Sequence, residues 1–468
     1  MSSRLRIVLR RMAAVSTSDR REIAFAGVAR QAELVRSGEV TPRELVETAL
    51  ERIERLDPEL NAFRAVFAER ALAEAEQLRP DDGRPLLGVP IAVKDDLHVA
   101  GTPRVRGSSA HGPAEPEDAE LVRRLRAAGA IVIGITRTPE LGIWPFTETA
   151  AGGITRNPWN PQRTSGGSSG GPAAAVAAAL VAASTASDGA GSIRIPAACC
   201  GLFGLKPQRG RIPVEPLEEL WNGLSVYGFL ARTVSDTALL YEVVTAKPYV
   251  RATQQAPPKL RIALSLKIPP GSTARLHGDW RRAAEDTAEL LRSLGHEVVE
   301  RDPAIGLAGI NTLTRFLAGV YGEARAVEHP ERLERRTRGM ARLGASAHRL
   351  LAKARAAEAR DAARVNAIFE DVDVVLGPTL ARSALPVGFY EGRGAAYTLN
   401  GVLRWVPFNG LWNHLGNPAA AVPAGFDADG LPLSVQLAGR PDGETTLLAL
   451  SRQLEEARPW ADQRPPIS

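Results

Sequence analysis

Apolar and polar positions along the chain alternate between amphipathic stretches and short, continuous apolar blocks. The pattern predicts helices over about residues 23–36, 41–55 and 65–78. The second opens on Thr41-Pro42-Arg43-Glu44, a capping box with proline in the first helical position. The block 86–93 then reads as a buried strand, residues 117–128 as an amphipathic helix, and 130–135 as a second apolar strand. Residues 155–165 are polar and proline-punctuated, which predicts a loop. The alanine-rich run after it predicts a helix over 172–183. Further strands are expected at 260–264, 296–300, 372–376 and 432–437, and helices at 275–294, 340–369 and 444–458. This alternation predicts an α/β sheet with helices on its faces.

The chain is 468 residues long, enough for a large core. No apolar run reaches the ~18–20 residues that a membrane span needs. The net charge of +5 is spread along the chain and forms no basic stripe, so no nucleic-acid partner is expected. The cationic side chains are nearly all arginine, and lysine stands only at 94, 206, 247, 259, 267 and 353. The two cysteines, Cys199 and Cys200, are adjacent, which gives no disulfide framework and fits a reducing cytoplasm. The basic start of the chain has too short an apolar run for a signal peptide, and residues 1–20 are expected to be a disordered leader. Residues 21–464 then form one domain. The Arg- and Ala-rich stretch of about 250–400 is expected to be a cap or insertion shaping the substrate mouth.

The candidate chemistry lies in three places. Ser192 follows Gly189-Ala190-Gly191, where little side chain blocks the backbone N–H groups from converging on an anion. That predicts a nucleophile beside an oxyanion cradle. Ser168 and Ser169 sit within Gly166-Gly167-Ser168-Ser169-Gly170-Gly171, whose glycines permit unusual backbone, including a cis peptide. Ser168 is placed to relay a proton if the fold brings it near Ser192, and Ser169 to position the turn. Lys94 ends the apolar block 88–93, where burial favours the neutral amine and hence a base. Asp95 and Asp96 oppose this if they point inward, so their carboxylates are expected to turn away. Lys206 is the competing lysine and is assigned a structural role. Arg194 is expected to pin the loop through a bidentate pair with a nearby carboxylate, with Asp188 and Ser187 in the same network.

Other motif readings fail on context. Gly166 to Gly170 fits the nucleophile-elbow pattern, but a proline-rich loop precedes it where a strand is needed. No Lys-Ser/Thr follows the glycines, which excludes a phosphate loop, and Arg194 stands where a dinucleotide fingerprint needs its third glycine. The histidines show no metal-ligand spacing, so neither metal nor cofactor is expected.

Taken together, Gly88 to Asp95, Gly166 to Gly171 and Asp188 to Pro196 closely resemble the amidase signature family. The likeness extends through Asn157-Pro158-Trp159, Gly201 to Pro207, and the stretches 416–425 and 430–436. It implies an amidase-signature fold, a large twisted mixed β-sheet covered by helices on both faces. It implies a Ser-cisSer-Lys triad of Ser192, Ser168 and Lys94. The backbone N–H groups of Gly189, Ala190, Gly191 and Ser192 would form the oxyanion hole, with Gly167, Ser169, Ser187, Asp188 and Arg194 in support. The implied activity is hydrolysis of a small carboxylic amide to acid and ammonia or amine through a serine acyl-enzyme. A glutaminase subunit of a tRNA-dependent amidotransferase is the alternative, as is a specialised carbamate, aryl-acylamide or cyclic-oligoamide hydrolase. A binding protein on this scaffold is the reading from a different class. A homodimer is a common family outcome. Two departures stand out: Ala190 replaces a usual glycine, and Ala186-Ser187 a frequent Gly-Thr. Trp144, Phe146, Trp405 and Trp412 are the candidate pocket aromatics.

Overall fold

The computed structural model describes residues 17–468. Its centre is an eleven-stranded mixed sheet. In chain order the strands are β1 (Phe63–Val66), β2 (Pro90–Lys94), β3 (Ile131–Thr136), β4 (Ala183–Asp188), β5 (Phe203–Lys206), β6 (Val226–Ala231), β7 (Arg261–Leu264), β8 (Glu297–Glu300), β9 (Val374–Pro378), β10 (Ala419–Phe426) and β11 (Pro432–Gly439). Their spatial order is β1-β3-β2-β4-β6-β5-β10-β11-β9-β7-β8. Strands β3, β2 and β4 run parallel to one another, as do β9, β7 and β8, and antiparallel pairs join the two groups.

The helices around this sheet include α1 (Pro42–Leu60), α2 (Gly170–Ala177), α3 (Arg194–Cys200), α4 (Ala308–Ala326) and α5 (Arg335–His348). Helix α1 starts at the predicted capping box: Thr41 accepts from the Glu44 N–H, and Glu44 reaches back to the Thr41 N–H. Such a cap contributes about 1 kcal/mol. Both faces of the central strands are covered, and β2, β3, β4, β6 and β11 are buried along their whole length. No helix among the described residues is long and apolar enough to cross a membrane.

Several boundaries differ from expectation. The helix expected over 172–183 is shorter, because Ala179 takes a left-handed backbone (φ 51°) just past the end of α2. The chain then re-enters the sheet as β4. The polar side chains of β4 serve neighbouring backbone there: Ser184 donates to the Ala92 carbonyl, and Thr185 accepts from the Lys94 N–H. The loop 155–165 carries a two-stranded ribbon, Arg156–Asn157 with Asn160–Thr164. The stretch 250–400 is not simply a cap. It supplies β7, β8 and β9 to the sheet, and of its residues only those of α4 line the cavity at the site. Of the expected leader, residues 1–16 lie outside the described residues, and 17–20 begin the helix Thr17–Phe25.

Candidate active site

Lys94 is the last residue of β2, and β4 runs parallel beside it. Three segments therefore meet at the C-terminal ends of these two strands: Lys94, the turn before α2, and the loop between β4 and α3. Open α/β sheets place their ligand crevices at strand ends of this kind.

Lys94 is fully buried. Its Nζ lies 2.8 Å from Ser168 Oγ, 2.7 Å from Ser187 Oγ and 3.1 Å from Asp96 Oδ2. Burial pushes the ammonium pKa down, Asp96 opposes the shift most among the neighbouring carboxylates, and the net direction is downward. Asp95 turns away as expected, toward Arg64 at 3.0 Å and the N–H groups of Val105 and Gly107. Asp96 does not turn away. It faces the amine and also accepts from the Ser187 hydroxyl. Its position at the cavity edge, with the side chain 21% exposed, lets one carboxylate oxygen reach inward.

The Gly167–Ser168 peptide is cis. A Cβ at Gly167 would lie 2.6 Å from the Trp144 carbonyl oxygen and 2.7 Å from the Phe146 nitrogen, so only glycine fits this turn. Thr138 donates to the Ser168 carbonyl at 2.9 Å. Ser169 joins the two loops: its N–H donates to the Ser192 carbonyl at 3.3 Å, and its hydroxyl reaches the Ser187 backbone.

Asp188 and Arg194 are both fully buried and form the bidentate pair, with Nε to Oδ2 at 3.0 Å and Nη2 to Oδ1 at 2.9 Å. Burial pushes the Asp188 carboxyl pKa up, but Arg194 outweighs this and holds it well below the usual carboxylate range. Asp188 also accepts from the N–H groups of Gly191, at 2.6 Å, and Ile193. The Gly191 N–H, expected among the oxyanion donors, is thus engaged inside the loop. Among the described residues, the N–H groups of Gly189, Ala190 and Ser192 donate to no protein group outside the sheet. Gly191 has φ 123°, and a Cβ there would lie 2.6 Å from Ile195 Cδ1. Ala190 is not among the positive-φ residues, which explains why a Cβ is tolerated there.

Sequence reasoning missed three polar residues around Arg194. Asn413 accepts from Arg194 Nη2 at 2.6 Å and donates to the Asp188 carbonyl at 2.7 Å, while Gln436 and the Asn409 carbonyl take Nη1. They come from distant segments, and although Gln436 ends the family-like stretch 430–436, no local pattern ties any of the three to Arg194. Lys206 is buried, its pKa pushed down to about 7 by burial, and it donates to the Pro207 carbonyl. It does not line the cavity. His414 pairs with Asp361 at 3.1 Å, away from the serines. Cys199 and Cys200 are free and buried.

Ser168, Ser187, Gly189, Ala190 and Ser192 line one cavity of about 260 Å³. None of the four predicted pocket aromatics lines it. Trp144 stacks on Phe146 at 5.8 Å with Arg336 over both rings, and Trp405 donates to the Arg382 carbonyl. Trp412 packs near Phe369 in a separate cluster, and all four are core residues. The aromatic wall is instead Trp221, Tyr227 and Phe316.

The class of protein to which this fold belongs follows from comparison with known proteins. The amidase family model matches residues 44–448, and the chain belongs to that family. It is 52% identical over 461 residues to the Mycobacterium tuberculosis protein named "Putative amidase AmiB2", covering 96% of this chain and all of that one. Among solved structures it is similar to 6-aminohexanoate cyclic dimer hydrolase, with TM-score 0.87, 32% identity, and coverage of 95% of this chain and 99% of that one. A bacterial aryl acylamidase superposes with TM-score 0.82 at 25% identity, covering 92% and 95% of the two chains.

Proposed function

We propose that this amidase-family hydrolase cleaves a small carboxylic acid amide, releasing the acid and ammonia or an amine, through an acyl-enzyme on Ser192. The observation that carries the reading is the fully buried Lys94 amine, 2.8 Å from Ser168 Oγ, beside a cavity that Ser192 lines. A neutral amine has two N–H donors and one lone pair. Its three neighbours suit that inventory: N–H groups to Ser187 and Asp96, and the lone pair toward the Ser168 hydroxyl.

Ser192 Oγ bonds to the carbonyl carbon as its proton passes to Ser168, whose own proton passes to Lys94. The carbonyl oxygen takes up negative charge, and the free N–H groups of Gly189, Ala190 and Ser192 are the supporting donors; each such donor is typically worth ~10²–10³ in rate. The carbon–nitrogen bond breaks as the relay returns the proton to the departing nitrogen. Water then bonds to the acyl carbon, the ester bond to Ser192 breaks, and the relay resets.

The test is a pH profile of kcat/KM on simple primary amides. Activity should rise toward alkaline pH as the amine discharges, with its limb below the ordinary lysine value of 10.5 because burial lowers it. A limb that survives Lys94→Ala unchanged would remove lysine from the relay.

A further inference from the structure

Building on that reading, we infer that Trp221, clamped by helix α4, forms the specificity wall of the cavity and selects an amide bearing a flat, uncharged apolar group.

The segment 215–225 crosses the cavity as a strap, contributing Leu217, Glu219, Leu220, Trp221 and Ser225 to its lining. Trp221 and Asn222 both have left-handed backbone, φ 52° and 53°, a conformation that bulky residues adopt only when their surroundings impose it. Helix α4 imposes it. Arg315, 1% exposed, donates to the Asn222 carbonyl at 2.7 Å. Trp221 Nε1 donates to the Phe316 carbonyl at 3.1 Å, and the two rings stack with centroids 5.7 Å apart. Gly319 completes the clamp, since a Cβ there would lie 2.2 Å from the indole. One helix thus fixes the backbone, the indole N–H and the ring face of Trp221. A ring held in this way offers a flat apolar surface at little entropic cost on binding.

The cationic charges on the cavity wall are already matched. Arg106 pairs with Glu323, Arg104 with Glu115 at 3.2 Å, and Glu219 is taken by Arg355 at 2.8 Å. Asp96, which accepts from the Ser187 hydroxyl beside the discharged Lys94, is the remaining charge on this wall, and it repels a carboxylate. A carboxylate substrate would find no counter-ion here without breaking one of these pairs, whereas a neutral one disturbs none. The cavity volume of about 260 Å³ limits the ligand to a small molecule. Free glutamine, a zwitterion, fits this wall poorly.

The test compares kcat/KM for benzamide, its 4-carboxylate analogue and propionamide, with fluorophosphonate labelling of Ser192 tracked in parallel. Wild type should prefer benzamide to the carboxylate by about tenfold or more. Trp221→Ala should collapse the benzamide-to-propionamide ratio by a similar factor through KM, and Trp221→Phe should restore most of it. Glu323→Gln frees Arg106 and should shift preference toward the carboxylate; this arm keeps the aromatic wall intact if Trp221→Ala fails to fold. Equal use of benzamide and its carboxylate, or an unchanged ratio in Trp221→Ala, overturns the inference while Ser192 labelling persists. Absence of labelling in wild type overturns the underlying reading instead.

Discussion

Asp96 Oδ2 lies 3.1 Å from Lys94 Nζ, so the amine that burial discharges still faces one carboxylate. The two influences oppose each other, and the net lowering of the lysine shows that desolvation outweighs the ion pair. Asp96→Asn removes the opposing charge, leaves a group of the same shape, and should lower the lysine further. The alkaline rise in kcat/KM should move to lower pH, measured by the midpoint of the limb. A shift to higher pH would contradict this balance.

Arg194→Lys keeps the charge beside Asp188 but loses the fork that also holds Asn413, Gln436 and the Asn409 carbonyl. A buried carboxylate left short of partners costs about 3–5 kcal/mol. A large drop in melting temperature is expected. Activity should fall at least ~100-fold, because Asp188 orders the Gly191 loop.

Neighbouring small residues in that loop should respond differently to one methyl group. Gly191→Ala places a Cβ 2.6 Å from Ile195 Cδ1 and 2.7 Å from Asn409 Cβ, at φ 123°. Kcat/KM should fall more than ~100-fold. Ala190→Gly changes no required angle, so stability should drop by only about 0.4–1 kcal/mol through the looser unfolded chain, with activity altered less than about tenfold. Denaturant midpoints and kcat/KM check both.

Lys206 links pH to stability. Its folded pKa is about 7, against 10.5 ordinarily, so between these values the unfolded chain holds a proton that the folded chain rejects. Stability attributable to this group therefore rises with pH across that window, and its cost is fully present below about 7. Lys206→Met should flatten the dependence of the urea midpoint on pH between about 7.5 and 9.5. Lys94, shifted in the same direction, leaves part of the slope in place.

Lys94 was legible in the sequence because it ends an apolar block, and the two serines and the Asp188–Arg194 pair because local glycine patterns mark them. A turn that admits no Cβ at Gly167 or Gly191 leaves its signature in consecutive residues. Strand β4 was hidden because Ala, Ser and Thr between two buried neighbours resemble the end of an alanine helix; only its pairing with β2 and β6 reveals the strand. The aromatic wall was illegible for a different reason. Trp221 and Phe316 lie on a loop and a helix far apart in the chain, while the more conspicuous Trp144, Phe146, Trp405 and Trp412 serve the core.

Acylation of Ser192, with Lys94 acting through Ser168 as its base, is measured directly by intact-mass and peptide mass spectrometry after reaction with a fluorophosphonate. A single adduct on Ser192 is predicted, formed at least ~100-fold more slowly in Lys94→Ala and Ser168→Ala. An adduct on another residue, or an undiminished rate in Lys94→Ala, would contradict it.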